Sequence, residues 1–297
     1  MARPLAALGV AGVVAVAGCA ASDSGDEAAS RAPARTAATA ASPAPSATAS
    51  ATPGSLVLGN AIRRAPAAYR FARARGARVG LTYERTSYYV YLPPRSPNTK
   101  VIVTMHGYLS TAFDDFAHWY PRVASRGYGI LAVHWRLGPR SSQSTSPARL
   151  YAQMRSALRT ARIGVGDALL HAYSSAAYRI YGVAALDRRG SRFFGLNVAA
   201  AGGARPFFSP LYREVFGGGY GPRPLLGSRW VLFCGGRDPY PDATGCRAMF
   251  RTRGLIRLRG GIVDRFILDP QGNHGSFLNT QRHVDAALEI FARLSPL

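Results

Sequence analysis

The sequence predicts an α/β fold built on a mostly parallel central sheet with helices on both faces. Three observations predict it. Short runs rich in apolar and β-branched residues alternate with longer stretches of helical apolar spacing. Runs such as Val101–Met105 are apolar but for Thr104, as suits a strand covered on both faces. Residues able to do chemistry follow the runs directly, at the strand ends where open parallel sheets bind ligands.

Two segments precede the first of these elements. MARPLAALGVAGVVAVAGC carries a basic Arg3, an uncharged apolar run and small residues before Cys19. That is the pattern of a secretory signal, too short to remain as a spanning helix. Val16-Ala17-Gly18-Cys19 resembles the bacterial lipobox, which implies that Cys19 becomes the lipid-bearing first residue of a mature lipoprotein at the extracytoplasmic face of the cell membrane. Acyl chains hold to bilayers by about 0.8 kcal/mol per buried methylene. From Ala20 to Gly54 there is no aromatic residue and no Val, Leu or Ile. Such a stretch cannot bury enough apolar surface to fold and is expected to be a disordered tether. The folded domain is therefore expected over residues 55–297, and no internal repeat interrupts it.

Within that domain Tyr88–Leu92 and Val101–Met105 are expected strands, and a helix-like stretch follows around Phe113 to Arg126, with Pro121 leaving its middle open. Gly129 to Trp135 is a buried strand by composition. Ser146-Pro147 starts a helix, since serine caps and proline suits the first turn. Leu150, Met154 and Leu158 give that helix its apolar side. Strand and helix then alternate: Ala168 to Tyr173, Ser175 to Arg188, Phe194 to Ala200, Trp230 to Cys234, a helix from about Ala243, and Val263 to Leu268. A final helix carries Val284, Ala287, Leu288 and Phe291. The stretch 201–228 is long, aromatic and glycine-rich without a clear period, as functional lids often are. Phe207, Phe208, Tyr212 and Phe216 either line a pocket beneath such a lid or pack on the core.

The net charge of +22 falls entirely beyond Gly54, because Arg3, Arg31 and Arg35 offset Asp23, Asp26 and Glu27 before it. A field of that sign attracts polyanions. No nucleic-acid motif accompanies it, so nucleic acid is not expected, and an anionic envelope polymer or a solvated surface fits an exported chain better. Beyond Cys19 only Cys234 and Cys246 remain. In an oxidising compartment they are expected to pair; the alternative is two unrelated thiols. A bridge there closes a short loop and contributes about 3 kcal/mol. No metal or cofactor is expected, since C-x-x-C pairs, H-E-x-x-H and phosphate-binding glycine motifs in a usable context are absent from the sequence.

The residues after the strands are telling. His106-Gly107-Tyr108 follows Val101–Met105, Ser174 follows Ala168–Tyr173, Asp238 follows the Trp230 strand and His274 follows the Val263 strand. Serine, acid and histidine in that order resemble an α/β-hydrolase over nearly all of 55–297. The family's nucleophile elbow needs small residues two before and two after the nucleophile, commonly Gly-x-Ser-x-Gly. Here the segment is Ala172-Tyr173-Ser174-Ser175-Ala176, with alanine in place of glycine. Taking Ser175 as nucleophile puts Tyr173 where a small side chain is required, so Ser174 is favoured.

A serine needs a base and the base an orienting carboxylate. His274, in a glycine-rich loop before the last helix, lies where the family's histidine does. His283 reads as a surface residue of that helix, His171 as a core group in mid-strand, and His118 and His134 have no comparable strand-end place. Asp238 is the first choice for the acid, with Asp242 and Asp269 left open. Acyl transfer also needs donors for a developing oxyanion; Tyr108 N–H and Ser175 N–H are the expected pair.

The resemblance implies a serine esterase acting on small or polymeric carboxylic esters through an acyl-enzyme, and more narrowly resembles secreted polyester depolymerases and feruloyl esterases. Two other readings stand beside it: an acyltransferase acting on envelope glycans or lipids, and a catalytically silent fold that binds envelope polymer.

Overall fold

The computed structural model describes residues 52–138, 144–204 and 214–294, which lie in one unit, Ala49–Leu297. The leader, Cys19 and nearly all of the tether fall outside them, as do Phe207, Phe208 and Tyr212. Val101–Met105 is buried at every position, and it forms the strand around which the sheet is organised. With β1 (Arg78–Leu81), β2 (Tyr88–Leu92), β3 (Val101–Met105), β4 (Gly129–Val133), β5 (Ala168–Tyr173), β6 (Phe194–Ala200), β7 (Arg229–Gly235) and β8 (Ile262–Asp269), the order is β1-β2-β4-β3-β5-β6-β7-β8. β1 and β2 run antiparallel at one edge, and β2 pairs antiparallel with β4. From β4 to β8 every neighbouring pair is parallel.

Strand periodicity sorts the core into two. Val101, Val103, Met105, Leu170 and Ala172 face one layer, while Ile102 and Leu169 face the other. The first layer is covered by α4 (Pro147–Thr160), α5 (Ala177–Arg189) and α6 (Cys246–Leu258), through Leu150, Met154, Leu158, Ile180, Val183 and Met249. The second is covered by α1 (Pro53–Arg64), α2 (Pro66–Ala74), α3 (Ala112–Val123) and the closing helix α7 (Gln281–Arg293), with Phe113, Phe116, Trp119, Val284 and Phe291 packed beneath. Each such large side chain contributes about 1.5–3 kcal/mol by leaving water.

Several elements differ from expectation. α1 begins at Pro53, inside the stretch read as tether, because Thr52 caps it by accepting from Ser55 N–H and proline suits its first turn. Pro121 sits inside α3 without ending it; the chain leaves the α-helix only at Ala124, for a 3₁₀ turn closed by Gly127 at φ 69°. Phe216, a candidate pocket residue, is 4% exposed and packs on Tyr181 in the core. Val215 and Leu225 are fully buried too, so the described end of the 201–228 connection belongs to the domain's own packing.

The order also places the site. β4 lies on one side of β3 and β5 on the other. The winding reverses there, and it is outside the carboxyl ends of the strands at such a reversal that open parallel sheets bind ligands.

Candidate active site

Ser174 leaves β5 with φ 58°, the left-handed region that side chains disfavour. Holding a non-glycine residue there costs about 1–3 kcal/mol, a cost met when the surroundings over-determine the turn. They do so here. Ala172 and Ala176 are fully buried, and Gly202, after β6, crosses so close that a Cβ on it would lie 2.3 Å from Ala177 Cβ. Gly107, after β3, crosses on the other side: its Cβ would lie 2.9 Å from the Tyr173 ring and 3.6 Å from Ser174 Cβ. The strand-to-helix turn is thus clamped between two glycines, with Ser174 at its apex and one turn of 3₁₀ helix, Ser174–Ala176, leading into α5.

The serine, histidine and first-choice aspartate are joined by hydrogen bonds. His274 Nε2 lies 2.8 Å from Ser174 Oγ, and His274 Nδ1 lies 2.7 Å from Asp238 Oδ2. A carboxylate only accepts, so Nδ1–H donates to it and Nε2 is left to accept from the serine hydroxyl. The Asp238 side chain is fully buried while that of His274 is 25% exposed. Burial alone raises the carboxyl's pKa. Bonds from His274, from Tyr240 N–H (2.9 Å) and from Thr244 Oγ1 (2.8 Å) outweigh it, and the group sits below its ordinary value, ionised.

Two backbone bonds lock the acid loop to the base loop: Gly236 N–H donates to Asp269 O (2.8 Å) and Arg237 N–H to Gly272 O (2.9 Å). A disulfide between Cys234, in β7, and Cys246, first residue of α6, closes the Asp238 loop at its base. The other two aspartates are engaged elsewhere. Asp242 faces solvent with Arg247 and Arg251, and Asp269 lies 3.4 Å from His283 Nε2. His283 is a correction to the surface reading: it is 5% exposed, packed on Phe233 and pointed back at β8. The sequence concealed this because Gln281 and Arg282 beside it are exposed and the partners come from distant strands.

Tyr108 follows Gly107 directly, and Ser175 lies in the first positions of the 3₁₀ turn, where N–H groups have no intrahelical acceptor. His106 is fully buried with Nδ1 donating to Gly107 O (2.7 Å); burial pushes its pKa down to about 3, against that bond, so it is neutral. It belongs to a column of rings, Tyr88, His134, His106 and Trp135, stacked at centroid spacings of 4.7, 4.6 and 5.6 Å. Arg179, one turn along from Ser175, caps the column 4.2 Å from Trp135 and donates to Ser175 O.

Beneath the serine, His171 Nδ1 meets Thr104 Oγ1 (3.0 Å) and Trp119 Nε1 (3.2 Å), and burial holds its pKa near 3. Thr104 in turn donates to the buried Asp115. Reasoning from the sequence missed Arg136, Arg179 and this network. Arginines soon after a strand or one turn beyond the expected nucleophile were a signal for the first two. Among the described residues no three His, Cys, Asp or Glu side chains group as a metal site, and no helix is long and apolar enough to cross a membrane.

Solved structures similar to this one include three esterases. Esterase E25 is 14% identical, with a TM-score of 0.55 over 81% of this chain and 85% of its own. An esterase of Pyrobaculum calidifontis is 16% identical, with a TM-score of 0.53 over 80% of this chain and 91% of its own. Esterase LipW of Mycobacterium marinum is likewise 16% identical, at 0.53 over 80% and 88%. No protein-family model and no curated protein matches the chain.

Proposed function

We propose that this chain, which has the α/β-hydrolase fold, is a serine esterase that cleaves carboxylic esters through an acyl-enzyme. The observation that carries the reading is the continuous hydrogen-bonded line from Asp238 through His274 to Ser174. His274 takes the serine proton as Oγ attacks the ester carbonyl. Tyr108 N–H and Ser175 N–H stabilise the oxyanion, a contribution of several kcal/mol in sites of this kind. The proton passes from His274 to the leaving alcohol, and the same imidazole then activates the water that releases the acid. Asp238, ionised and buried, holds the ring in the required tautomer and favours its charged form.

The strained serine supports this over a silent binding fold, for which a backbone held at φ 58° has no use. The lipobox-like leader extends the proposal to an enzyme tethered by Cys19 at the outer face of a cell membrane, with esters of the envelope or its surroundings as substrates.

The test is labelling of the full chain with a fluorophosphonate, peptide mapping, and release of acid from 4-nitrophenyl acetate. Label on Ser174 that vanishes in His274→Ala, together with ester turnover, is the expected result. A folded chain that neither labels nor turns over would overturn the reading. Product appearing only when an acceptor alcohol is added would move it to acyl transfer.

A further inference from the structure

α1 and the segment leaving β4 enclose a cavity of about 310 Å³ whose polar lining is Asn60, Arg63, Arg64, His134 and Arg136. None of its lining residues is acidic. Two of the arginines also hold the loop that carries the proposed oxyanion donor. Arg136 is 8% exposed; it donates to Tyr108 O (3.1 Å) and its guanidinium lies 3.7 Å from the Tyr108 ring centroid. Arg64 donates to Leu109 O (3.0 Å). The two arginines that line the cavity thus bond the two residues that follow Gly107, which itself passes against Ser174.

A second observation points to a ligand. His134 is 5% exposed, lines the cavity and leaves Nδ1 buried without a hydrogen-bond partner. Burial, the neighbouring His106 and the charges of Arg64 and Arg136 keep its pKa well below the ordinary value, so the ring is neutral. The one proton of the neutral ring is engaged by the backbone carbonyl of Arg136, so the unpartnered Nδ1 is left to accept from a hydroxyl on a ligand, while the guanidinium of Arg64 offers planar paired donors matched to carboxylate and phosphate oxygens. Buried orphaned polar atoms cost stability and are explained best by a group that meets them. A merely solvated arginine surface leaves no buried imidazole nitrogen unsatisfied.

We propose that this cavity is a subsite for an anionic group, a carboxylate or phosphate, carried by the ester on which Ser174 acts. The proposal rests on the esterase reading. It also makes Arg64 and Arg136 double-acting, since they bind the anion and position the Tyr108 peptide.

The test compares esters that differ only in charge: monomethyl against dimethyl adipate for an anion on the acyl side, and 4-acetoxybenzoate against its methyl ester for one on the alcohol side. Turnover by the full chain is followed in a pH-stat. In at least one pair the anionic ester is expected to have a kcat/KM about tenfold above its neutral partner, and Arg64→Gln to abolish that ratio. The ratio is read because a displaced oxyanion loop slows both esters alike. Arg257→Gln, an exposed arginine on α6, controls for the general positive field and is expected to keep the ratio. Equal or lower rates for the anionic ester in both pairs, or an equal loss in Arg257→Gln, would overturn the subsite. Should no ester turn over at all, the esterase reading fails. Calorimetric titration of Ser174→Ala with monomethyl adipate then reads the cavity alone: saturable binding weakened in the Arg64→Gln background supports it, and no binding sinks it.

Discussion

A methyl group on Gly202 would come within 2.5 Å of the carbonyl oxygen of Ser174. Gly202, two residues past the end of β6, is thus part of the support of Ser174, although it carries no chemistry. Gly202→Ala forces the elbow or the β6 exit to move, and overpacking of this kind costs about 1–3 kcal/mol. The expected outcome is a lower melting temperature together with a fall in ester turnover, measured by calorimetry and a 4-nitrophenyl acetate assay. Unchanged turnover would show that the elbow tolerates displacement.

Ser174→Ala should lower kcat by at least about 10⁴-fold while the fold persists. Ser174→Gly should be equally inactive yet melt higher than Ser174→Ala, because glycine adopts φ 58° without penalty. Equal melting temperatures for the two variants would mean that the elbow stores no strain.

Asp238→Asn should reduce kcat by about 10⁴-fold, since the amide presents the wrong partner to Nδ1. It should also flatten the acid limb of the stability curve. The folded pKa of Asp238 lies below the unfolded value of about 3.9, so its stabilisation is present above that pH and disappears as acid carries the pH down through the folded value. Thermal melts of the two proteins between pH 2 and 6 check this; parallel curves would count against the hydrogen bonds as the cause.

Asp115 has the opposite sign. Burial, opposed by the bond from Thr104 and aided by Asp114, raises its carboxyl to about 7. Its contribution to stability is full below the unfolded pKa of about 3.9 and is lost as pH rises through about 7. Asp115→Asn should therefore remove a decline in melting temperature between pH 4 and pH 8. A variant whose decline matches that of the parent would place the titrating group elsewhere.

The extent to which the sequence foretells this molecule follows burial. β3 and β5 are apolar along almost their whole length, and only a covered strand explains that, so the sheet centre and the serine, aspartate and histidine at strand ends were readable. α1 buries only Gly54 and Ala61, α2 only Ala72, and β1 is a four-residue edge strand with no fully buried position. Elements that contribute so little to the core leave almost no periodic trace. His283 and the arginine-lined cavity depend on residues brought together from distant strands and helices, which no local pattern records. The choice of Asp238 over Asp242 belonged to the same kind: both follow β7, and only Asp238 faces inward.

The bridge between Cys234 and Cys246 makes the loop that carries Asp238 a covalent ring, and the tip of that ring, 239–242, is exposed. Exposed tips are where proteases cut. A cut there in the oxidised chain leaves both new ends fastened at the root of the loop, Asp238 four residues from one anchor, so the carboxylate stays within reach of His274. The same cut in a reduced chain frees a flap. Limited proteolysis should therefore yield a nicked protein that still turns over ester until a reductant is added, and tolerance of a cut in this loop becomes a property of one bond.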